Sequence, residues 1–161
     1  DSCPIVIDMG GGYGSGVYSH LKQHVAGITL HGHDGASSSG KRTRDGKLKF
    51  FNKRAEVWWK FREALEPNLG EPVALPPDPE LLADLAAPTW KLGRTGIQIE
   101  EKAAIKSRLG RSPDKGDAVV NAWSYGEDSV SARIRTFNNP RGRPTVNLGR
   151  TASAAQRRRK G

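Results

Sequence analysis

The sequence predicts an α/β domain with a partly parallel sheet, and three observations lead to that prediction. A short apolar run at residues 4–7 is followed by a glycine-rich turn and then by a helical repeat of apolar residues. Helical patterns alternate with short strand-like runs along most of the remaining chain. The length of 161 residues is sufficient for one domain with a buried core.

The first two strands are expected on either side of a helix. Residues 4–7 predict a buried strand that ends at Asp8, and the glycines between residues 10 and 16 predict a tight turn. The helix that follows is expected to run to about residue 25. Its apolar face would consist of residues spaced four apart, namely Val17, Leu21 and Val25. Residues 27–30 predict the second strand, and residues 31–49 predict a polar loop.

A second helix is expected from Asn52, which is a favourable N-cap residue, to Pro67, which ends it. A broad apolar stripe predicts that this helix packs on the core, through Ala55, Trp58, Trp59, Phe61 and Leu65.

The next elements follow a proline-rich connector at residues 72–79. Asp78 is expected to cap a short helix that carries Leu81, Leu82 and Leu85. Residues 89–92 and 97–100 predict two strands of a hairpin around the turn at 93–96.

Two helices complete the pattern. Residues 102–109 predict a basic helix. Ser112 as N-cap and Pro113 at the first helical position predict a last helix that runs to about Tyr125.

The basic residues are concentrated at the end of the chain. The formal net charge is +9, and all 17 Asp and Glu lie before residue 131. We therefore predict an ordered domain over residues 1–126 and a basic, largely disordered tail over residues 127–161. Such a tail would either bind phosphate backbones without sequence preference or serve only as a solubilising terminus.

Composition also narrows the class of protein. No apolar run approaches the ~18 residues that a membrane-spanning helix requires, and no secretory signal opens the chain. A single cysteine, Cys3, excludes a disulfide framework and is typical of a reducing compartment. Because the chain opens with Asp1 rather than Met, we expect it to be a piece of a longer protein.

Asp114 and Asp117 lie three residues apart at the start of the predicted last helix, and therefore on one face of it. Two carboxylates in this arrangement repel each other unless a cation lies between them, and Mg²⁺ takes oxygen ligands of this kind. The alternative is that Asp114 complements the helix dipole and Asp117 is a solvated neighbour.

Asp8 is predicted at the carboxyl end of the first strand, where α/β folds place their ligands. Its alternative role is to cap the glycine turn. The glycines do not match the dinucleotide-binding fingerprint, because the spacing fails at its last position. Residues 7–12 are similar to the phosphate loop of actin-like sugar kinases, which leaves a phosphotransferase as a further alternative.

The histidines and tryptophans offer further sites. Four histidines could bind zinc, although solvated or capping roles are the default, and these are His20, His24, His31 and His33. The tryptophans at 58, 59 and 123 are expected in the core rather than as base-stacking platforms, since stacking on nucleotides requires exposed rings.

Three segments in order carry a resemblance to a known family: residues 6–17 with Asp8 and the glycines, residues 51–58 with Asn-Lys-Arg, and residues 99–118 with Ser-Pro-Asp-Lys-Gly-Asp-Ala. Together they resemble the C-terminal nuclease domain of the large terminase subunit of tailed bacteriophages. The resemblance implies a ribonuclease H-like mixed sheet flanked by helices. It also implies a divalent-metal-dependent endonuclease that cuts concatemeric double-stranded DNA during packaging.

By the same resemblance, Asp8, Asp114 and Asp117 are the expected catalytic and metal-binding residues, with Asp8 and Asp114 as the main ligands and Asp117 as a third ligand or support. Gly116 stands where the family usually has Ala. They would hold two ions, Mg²⁺ or Mn²⁺, of which one activates water and the other stabilises the leaving oxygen. Expected partners are double-stranded DNA, the phage portal and the small terminase subunit, in the cytoplasm of the infected bacterium. The expected DNA-binding residues are Lys53, Arg54, Lys102, Arg108, Arg157, Arg158 and Arg159. For Lys102, an ordinary surface position is the alternative.

The sequence departs from the family pattern in one respect. The family's first acid lies on an upstream strand in a motif of the type Gly-x-Asp-x-Ala, and only seven residues precede Asp8. No phosphate loop of an ATPase domain occurs either. We therefore expect the back part of such a domain, without its first strands, and a catalytically inactive DNA-binding fragment is the alternative function.

Overall fold

Strands and helices alternate along the chain in the computed structural model, which describes residues 4–68 and 73–138 and side chains as far as residue 126. The elements are β1 (Ile5–Asp8), α1 (Gly14–His24), β2 (Leu30–His33), α2 (Lys53–Ala64), α3 (Pro79–Ala86), β3 (Trp90–Gly93), β4 (Gly96–Ile99), α4 (Lys102–Leu109) and α5 (Asp114–Asn138). A single 3₁₀ turn, Gly10–Gly12, joins β1 to α1.

The first strand pair is parallel, as predicted, and α1 crosses between its strands. Register pairs Ile5 with Leu30 and Asp8 with His33. The second strand begins three residues later than predicted, because Gly27 takes a left-handed φ of 76° in the turn after α1. The prediction of a loop at 31–33 is therefore wrong, and both His31 and His33 belong to β2.

The apolar face predicted for α1 exists in the helix but is only partly covered. Leu21 is half-buried, whereas Val17 and Val25 are 55% and 41% exposed. The two-stranded β1–β2 sheet is too small to cover both valines, so spacing alone gave no measure of burial here.

Helix α2 forms the centre of the core. Asn52 caps it as predicted, by accepting a hydrogen bond from the Ala55 N–H at 2.9 Å. One side of the helix packs on the β4 residue Ile97, and the other side packs on the α5 residue Val120. The predicted core positions are confirmed for Ala55, Trp58, Trp59 and Phe61, while Leu65 is 40% exposed at the end of the helix.

The second sheet is the predicted hairpin, with β3 antiparallel to β4. Phe50 forms a parallel bridge with Ile97, so the chain leading into α2 lies beside β4. Parallel and antiparallel pairs thus both occur, but among the described residues they form two separate sheets rather than the one mixed sheet that we predicted.

Helix α5 begins at Asp114, one residue later than expected, and continues to Asn138. It therefore passes the predicted end at about residue 125 and the predicted domain boundary after residue 126. The rest of the predicted tail lies outside the described residues, so its disorder stays a prediction. Within the ranges 4–68 and 73–138, no helix is long and apolar enough to cross a membrane.

Candidate active site

A cleft of about 670 Å³ lies where the two sheets meet α2, α4 and α5. Two of the three acids predicted from the sequence, Asp8 and Asp117, line it, together with Lys102. Further residues that line it include His33, Phe51, Arg54, Trp90, Lys91 and Glu100.

Asp8 is the last residue of β1, and its position matches the prediction from the sequence. Its Oδ1 accepts a hydrogen bond from the Gly10 N–H at 2.8 Å, so the carboxylate also caps the glycine turn. The start of α1 packs directly against this strand end, because a Cβ on Gly14 would collide with the Asp8 carbonyl. The two roles weighed for Asp8 are therefore compatible, since the turn uses only Oδ1 as a hydrogen-bond acceptor.

Asp114 and Asp117 lie on the first turns of α5, and a cationic side chain lies between them, where the sequence predicted a divalent metal ion. That cation is the Lys102 ammonium group of α4, whose Nζ is 3.1 Å from Asp114 Oδ1 and 2.9 Å from Asp117 Oδ2. The Asp117 side chain is only 15% exposed, whereas that of Asp114 is 74% exposed. The inner acid is therefore Asp117, and Asp114 lies on the rim.

These contacts shift the pKa values of Lys102 and Asp114. Partial burial works to lower the pKa of Lys102, but its hydrogen bonds to Asp117 and Asp114 outweigh burial and raise that pKa. The pKa of Asp114 is lowered, first by the hydrogen bond from Ser112 and then by Lys102. The Ser112 hydroxyl donates a hydrogen bond to Asp114 Oδ1 at 2.6 Å. The predicted role of Ser112 as the N-cap of this helix is therefore wrong.

The start of α5 is capped from another helix. Asp84 of α3 is fully buried, and its Oδ2 accepts hydrogen bonds from the N–H groups of Lys115 and Gly116 at 3.1 and 3.2 Å. A Cβ on Gly116 would lie 2.9 Å from the Asp84 Cβ, which explains glycine where the family usually has Ala. The other oxygen of Asp84 pairs with Arg111 at 2.6 Å. Sequence reasoning did not single out Asp84, because the contact spans helices that are remote in sequence.

A second support holds Asp117 from the core side. The Trp58 indole Nε1–H donates to Asp117 Oδ1 over 3.3 Å. Since Trp58 is buried in the core, the position of this carboxylate is tied to the packing of α2.

His33 is the main site residue that the sequence did not single out as catalytic. It is paired with Asp8 in the β1–β2 register and is 4% exposed. Burial lowers the pKa of His33, and the nearby charge of Asp8 only partly opposes this. His33 therefore stays mostly neutral near pH 7 and adds no positive charge beside Asp8.

Arg54 reaches the cleft from the first turn of α2, and its Nη1 donates to the Glu100 carbonyl at 2.6 Å. Its Nη2 atom is buried and has no hydrogen-bond partner among residues 4–68 and 73–126. Burial lowers the pKa of Arg54, although Asp117 and Glu100 favour the charged form. A buried guanidinium donor without a partner is a common mark of a site that binds an anion or water.

Two of the other predicted DNA-binding residues, Lys53 and Arg108, make ion pairs within the protein. Lys53 contacts Glu56 at 3.0 Å, and Arg108 contacts Glu100 at 2.6 Å and the Ala87 carbonyl at 2.7 Å. Residues 157–159 lie outside the described residues. Their role in binding DNA stays a prediction.

The donor set suits a divalent ion only in part. Carboxylate oxygens of Asp8 and Asp117 share the cleft, and these are ligands that Mg²⁺ and Mn²⁺ accept. However, no three His, Cys, Asp or Glu side chains in the described part of the chain form a metal-binding group. Lys102 already forms an ion pair with both α5 acids and offsets one of their two negative charges. An ion at Asp117 would therefore have to displace this ammonium group.

The four histidines give no support to the zinc alternative. His20 and His24 stack on each other on α1, with ring centroids 4.4 Å apart. His31 stacks on Tyr125 at 4.9 Å, and the buried His33 contacts the same ring edge-on.

Comparison with solved structures identifies the fold. The nuclease domain of the large terminase subunit gp2 of bacterial virus Sf6 superposes with a TM-score of 0.57 over 73% of this chain, at 21% identity. The chain has the fold of a phage terminase nuclease domain. It covers 63% of that domain. A lysine-to-alanine mutant of the same domain, solved with manganese, matches with a TM-score of 0.56 at 21% identity over the same shares of both chains.

The terminase fold confirms the ribonuclease H-like architecture inferred from the three sequence segments. No protein-family model matches the sequence, and no curated protein matches it. At this level of identity the likeness concerns the fold, so the chemistry of the cleft rests on its own residues.

Proposed function

We propose that this chain is the nuclease part of a terminase and cuts double-stranded DNA with the help of a divalent metal ion. One observation carries the proposal: Asp8 and Asp117, predicted as ligands from the sequence, line one cleft of a molecule with the terminase nuclease fold. The Sf6 domain with manganese supports a divalent cofactor, because its title names that ion. The fold favours this function over the phosphotransferase alternative.

Three carboxylates of the chain would hold the metal ion. Asp8 and Asp117 would hold the ion from two sides of the cleft, and Asp114 would support it from the rim. When bound, the ion would supply the activation of water and the stabilisation of the leaving oxygen.

The remaining groups would handle charge around the scissile phosphate. Lys102 would leave the acids when metal binds and would then be available to a phosphate oxygen. Arg54 carries the unused Nη2 donor beside Asp117, and a small shift of its side chain would bring it to the same phosphate. His33, held mostly neutral by burial, would leave the negative charge of Asp8 available to the ion.

The partners and setting follow from the same proposal. The substrate would be concatemeric double-stranded viral DNA in the cytoplasm of the infected bacterium, and the portal and small terminase subunit would assemble with the protein. The basic segment at residues 131–161 would strengthen DNA binding without sequence preference, and salt would weaken that contribution.

A plasmid-nicking assay with Mn²⁺ tests the proposal. Wild-type protein should convert supercoiled plasmid to nicked and linear forms, and Asp117→Asn and Asp8→Asn should each lower the rate by at least about 100-fold. Glu66→Gln is the matched control, because it removes an exposed acid that does not line the cleft. Gel retardation of the same DNA in EDTA should change little in all three variants.

Two results would contradict the catalytic assignment. The first is nicking by Asp117→Asn at the wild-type rate. The second is an equal loss of DNA binding and nicking in both aspartate variants.

A second candidate function is favoured by the Lys102 contacts. With both α5 acids paired to Lys102 and no three-residue metal group in the described part of the chain, a domain that only binds DNA is the alternative. That alternative predicts salt-sensitive retardation that is unchanged by metal, by EDTA and by Asp117→Asn, with no nicking.

A further inference from the structure

Two aromatic side chains at the mouth of the cleft are exposed, unlike the tryptophans of the core. Trp90 is 50% exposed and Phe51 is 52% exposed, and both line the cleft that contains Asp8 and Asp117. By contrast, Trp58 and Trp59 are 7% and 9% exposed. Base stacking requires an exposed ring, which the core tryptophans lack. Trp90 and Phe51 have such a ring.

Contacts with neighbouring residues hold Trp90 and Phe51 in place. Trp90 opens β3, and the Trp59 ring meets it edge-on with centroids 4.8 Å apart, which leaves part of its surface to solvent. The Phe51 N–H donates to the Ile97 carbonyl of β4 at 2.9 Å. Phe51 thus lies between the bridge residue Phe50 and the helix cap Asn52.

The polar residues beside these rings suit a nucleotide. Lys91 follows Trp90, is exposed and lines the same cleft, so it can contact a phosphate. Gln98 is its cross-strand partner and also lines the cleft, where its amide can donate to and accept from a base edge.

We propose that Trp90 and Phe51 form a stacking site for unpaired DNA bases, next to the carboxylates of the cleft. Inside a duplex each base face is covered by its neighbours, so a side-chain ring can stack only on a base in a single strand or at a frayed or opened position. This inference rests on the proposed nuclease function and deepens it. It assigns locally unpaired DNA, rather than intact duplex, to the mouth of the cleft.

Binding in EDTA tests the proposal without requiring catalysis. The full chain is titrated into a fluorescein-labelled dT oligomer and into a duplex of equal length, with anisotropy as the readout. Trp90→Ala should weaken dT binding by roughly 5-fold to 150-fold, the range that corresponds to the loss of one base–aromatic stack. Duplex binding should change less than about 2-fold.

Leu92→Ala is the matched control. Leu92 lies two residues along β3, is 58% exposed and does not line the cleft, so its removal should leave dT binding unchanged. Trp90→Phe retains a ring and should keep most of the affinity. Its recovery relative to Trp90→Ala would exclude loss of folding as the cause.

Four outcomes would overturn the proposal. They are no measurable dT binding by wild type, wild-type dT affinity in Trp90→Ala, an equal loss in Trp90→Ala and Leu92→Ala, and an equal loss for dT and duplex. Metal-dependent nicking of plasmid by wild type and by Asp117→Asn is measured separately. Failure of the nuclease function with intact Trp90-dependent dT binding would therefore be recognised as such.

Discussion

Replacing Lys102 by Met should tighten the binding of Mn²⁺ by about 5- to 30-fold. Lys102 Nζ lies 2.9 Å from Asp117 Oδ2 and 3.1 Å from Asp114 Oδ1, where a metal ion would have to lie. Unit charges 2.9 Å apart attract by about 1.4 kcal/mol at the dielectric constant of water and about 6 kcal/mol at an effective value of 20.

The net value is smaller than the Coulomb energy. Fixing the lysine and removing water from both groups offset most of the attraction, and the contact to the exposed Asp114 contributes less than about 0.5 kcal/mol. The mostly buried Asp117 raises the total to about 1–2 kcal/mol. A divalent ion must overcome that energy to displace the ammonium group, which gives the expected factor.

Isothermal titration calorimetry with Mn²⁺ measures the effect. Lys106→Met is the control, because Lys106 is an exposed lysine on the same helix that forms no ion pair with either acid and acts on Asp114 only through its more distant charge. Unchanged or weaker Mn²⁺ binding by a folded Lys102→Met variant would refute the competition. An equal gain in Mn²⁺ affinity in Lys102→Met and Lys106→Met would mean that the effect comes from the net charge and not from competition for Asp117.

Three further predictions concern stability. In urea unfolding, Gly116→Ala should destabilise the fold by about 0.5–2 kcal/mol, because the clash with Asp84 outweighs the helix preference of alanine. Gly126→Ala should instead stabilise the fold by about 0.5–1 kcal/mol, since a Cβ at residue 126 has no described atom within 4 Å. Asp84→Ala should cost about 2–4 kcal/mol, because it removes a buried ion pair and a helix cap, and a shift in the urea midpoint below about 1 kcal/mol would contradict that role. Since the folded-state pKa of His33 lies below its unfolded value, its contribution to stability is present above about pH 6.5 and is lost as the pH falls. His33→Gln should therefore flatten the melting temperature between about pH 5 and 6.5, and His20→Gln should not.

The elements with strong local signals could be predicted from the sequence. Caps at Asn52 and Asp78, the hairpin around residues 93–96 and the apolar stripe of α2 depend on neighbours within a few residues, and all four occur as expected. The predicted start of β2 was wrong because it depends on parallel pairing with β1, a contact between segments distant in sequence. The local run of apolar residues does not determine that pairing.

The sequence singled out three acids of the candidate site, Asp8, Asp114 and Asp117, but not the side chains around them. Asp8 and Asp117 were recognised from strand-end position and helical spacing. Their partners Lys102, Trp58 and His33 come from other elements, and no local pattern reports which side chain fills the space between two helices. For the same reason, the cap that Asp84 provides to α5 could not be read from the segment that contains Ser112.

Tyr125 gives the spacing of the two inner acids an unusual origin. Asp8 ends β1, Asp117 is on α5, and these two elements pack against each other. The ring of Tyr125 adds to this contact by stacking on His31 and donating to the Gly32 carbonyl at 3.2 Å. A continuous β-ladder would fix such a spacing through repeated main-chain bonds. Here side-chain packing sets it, so a substitution at residue 125 should change the separation of Asp8 and Asp117 without altering either acid.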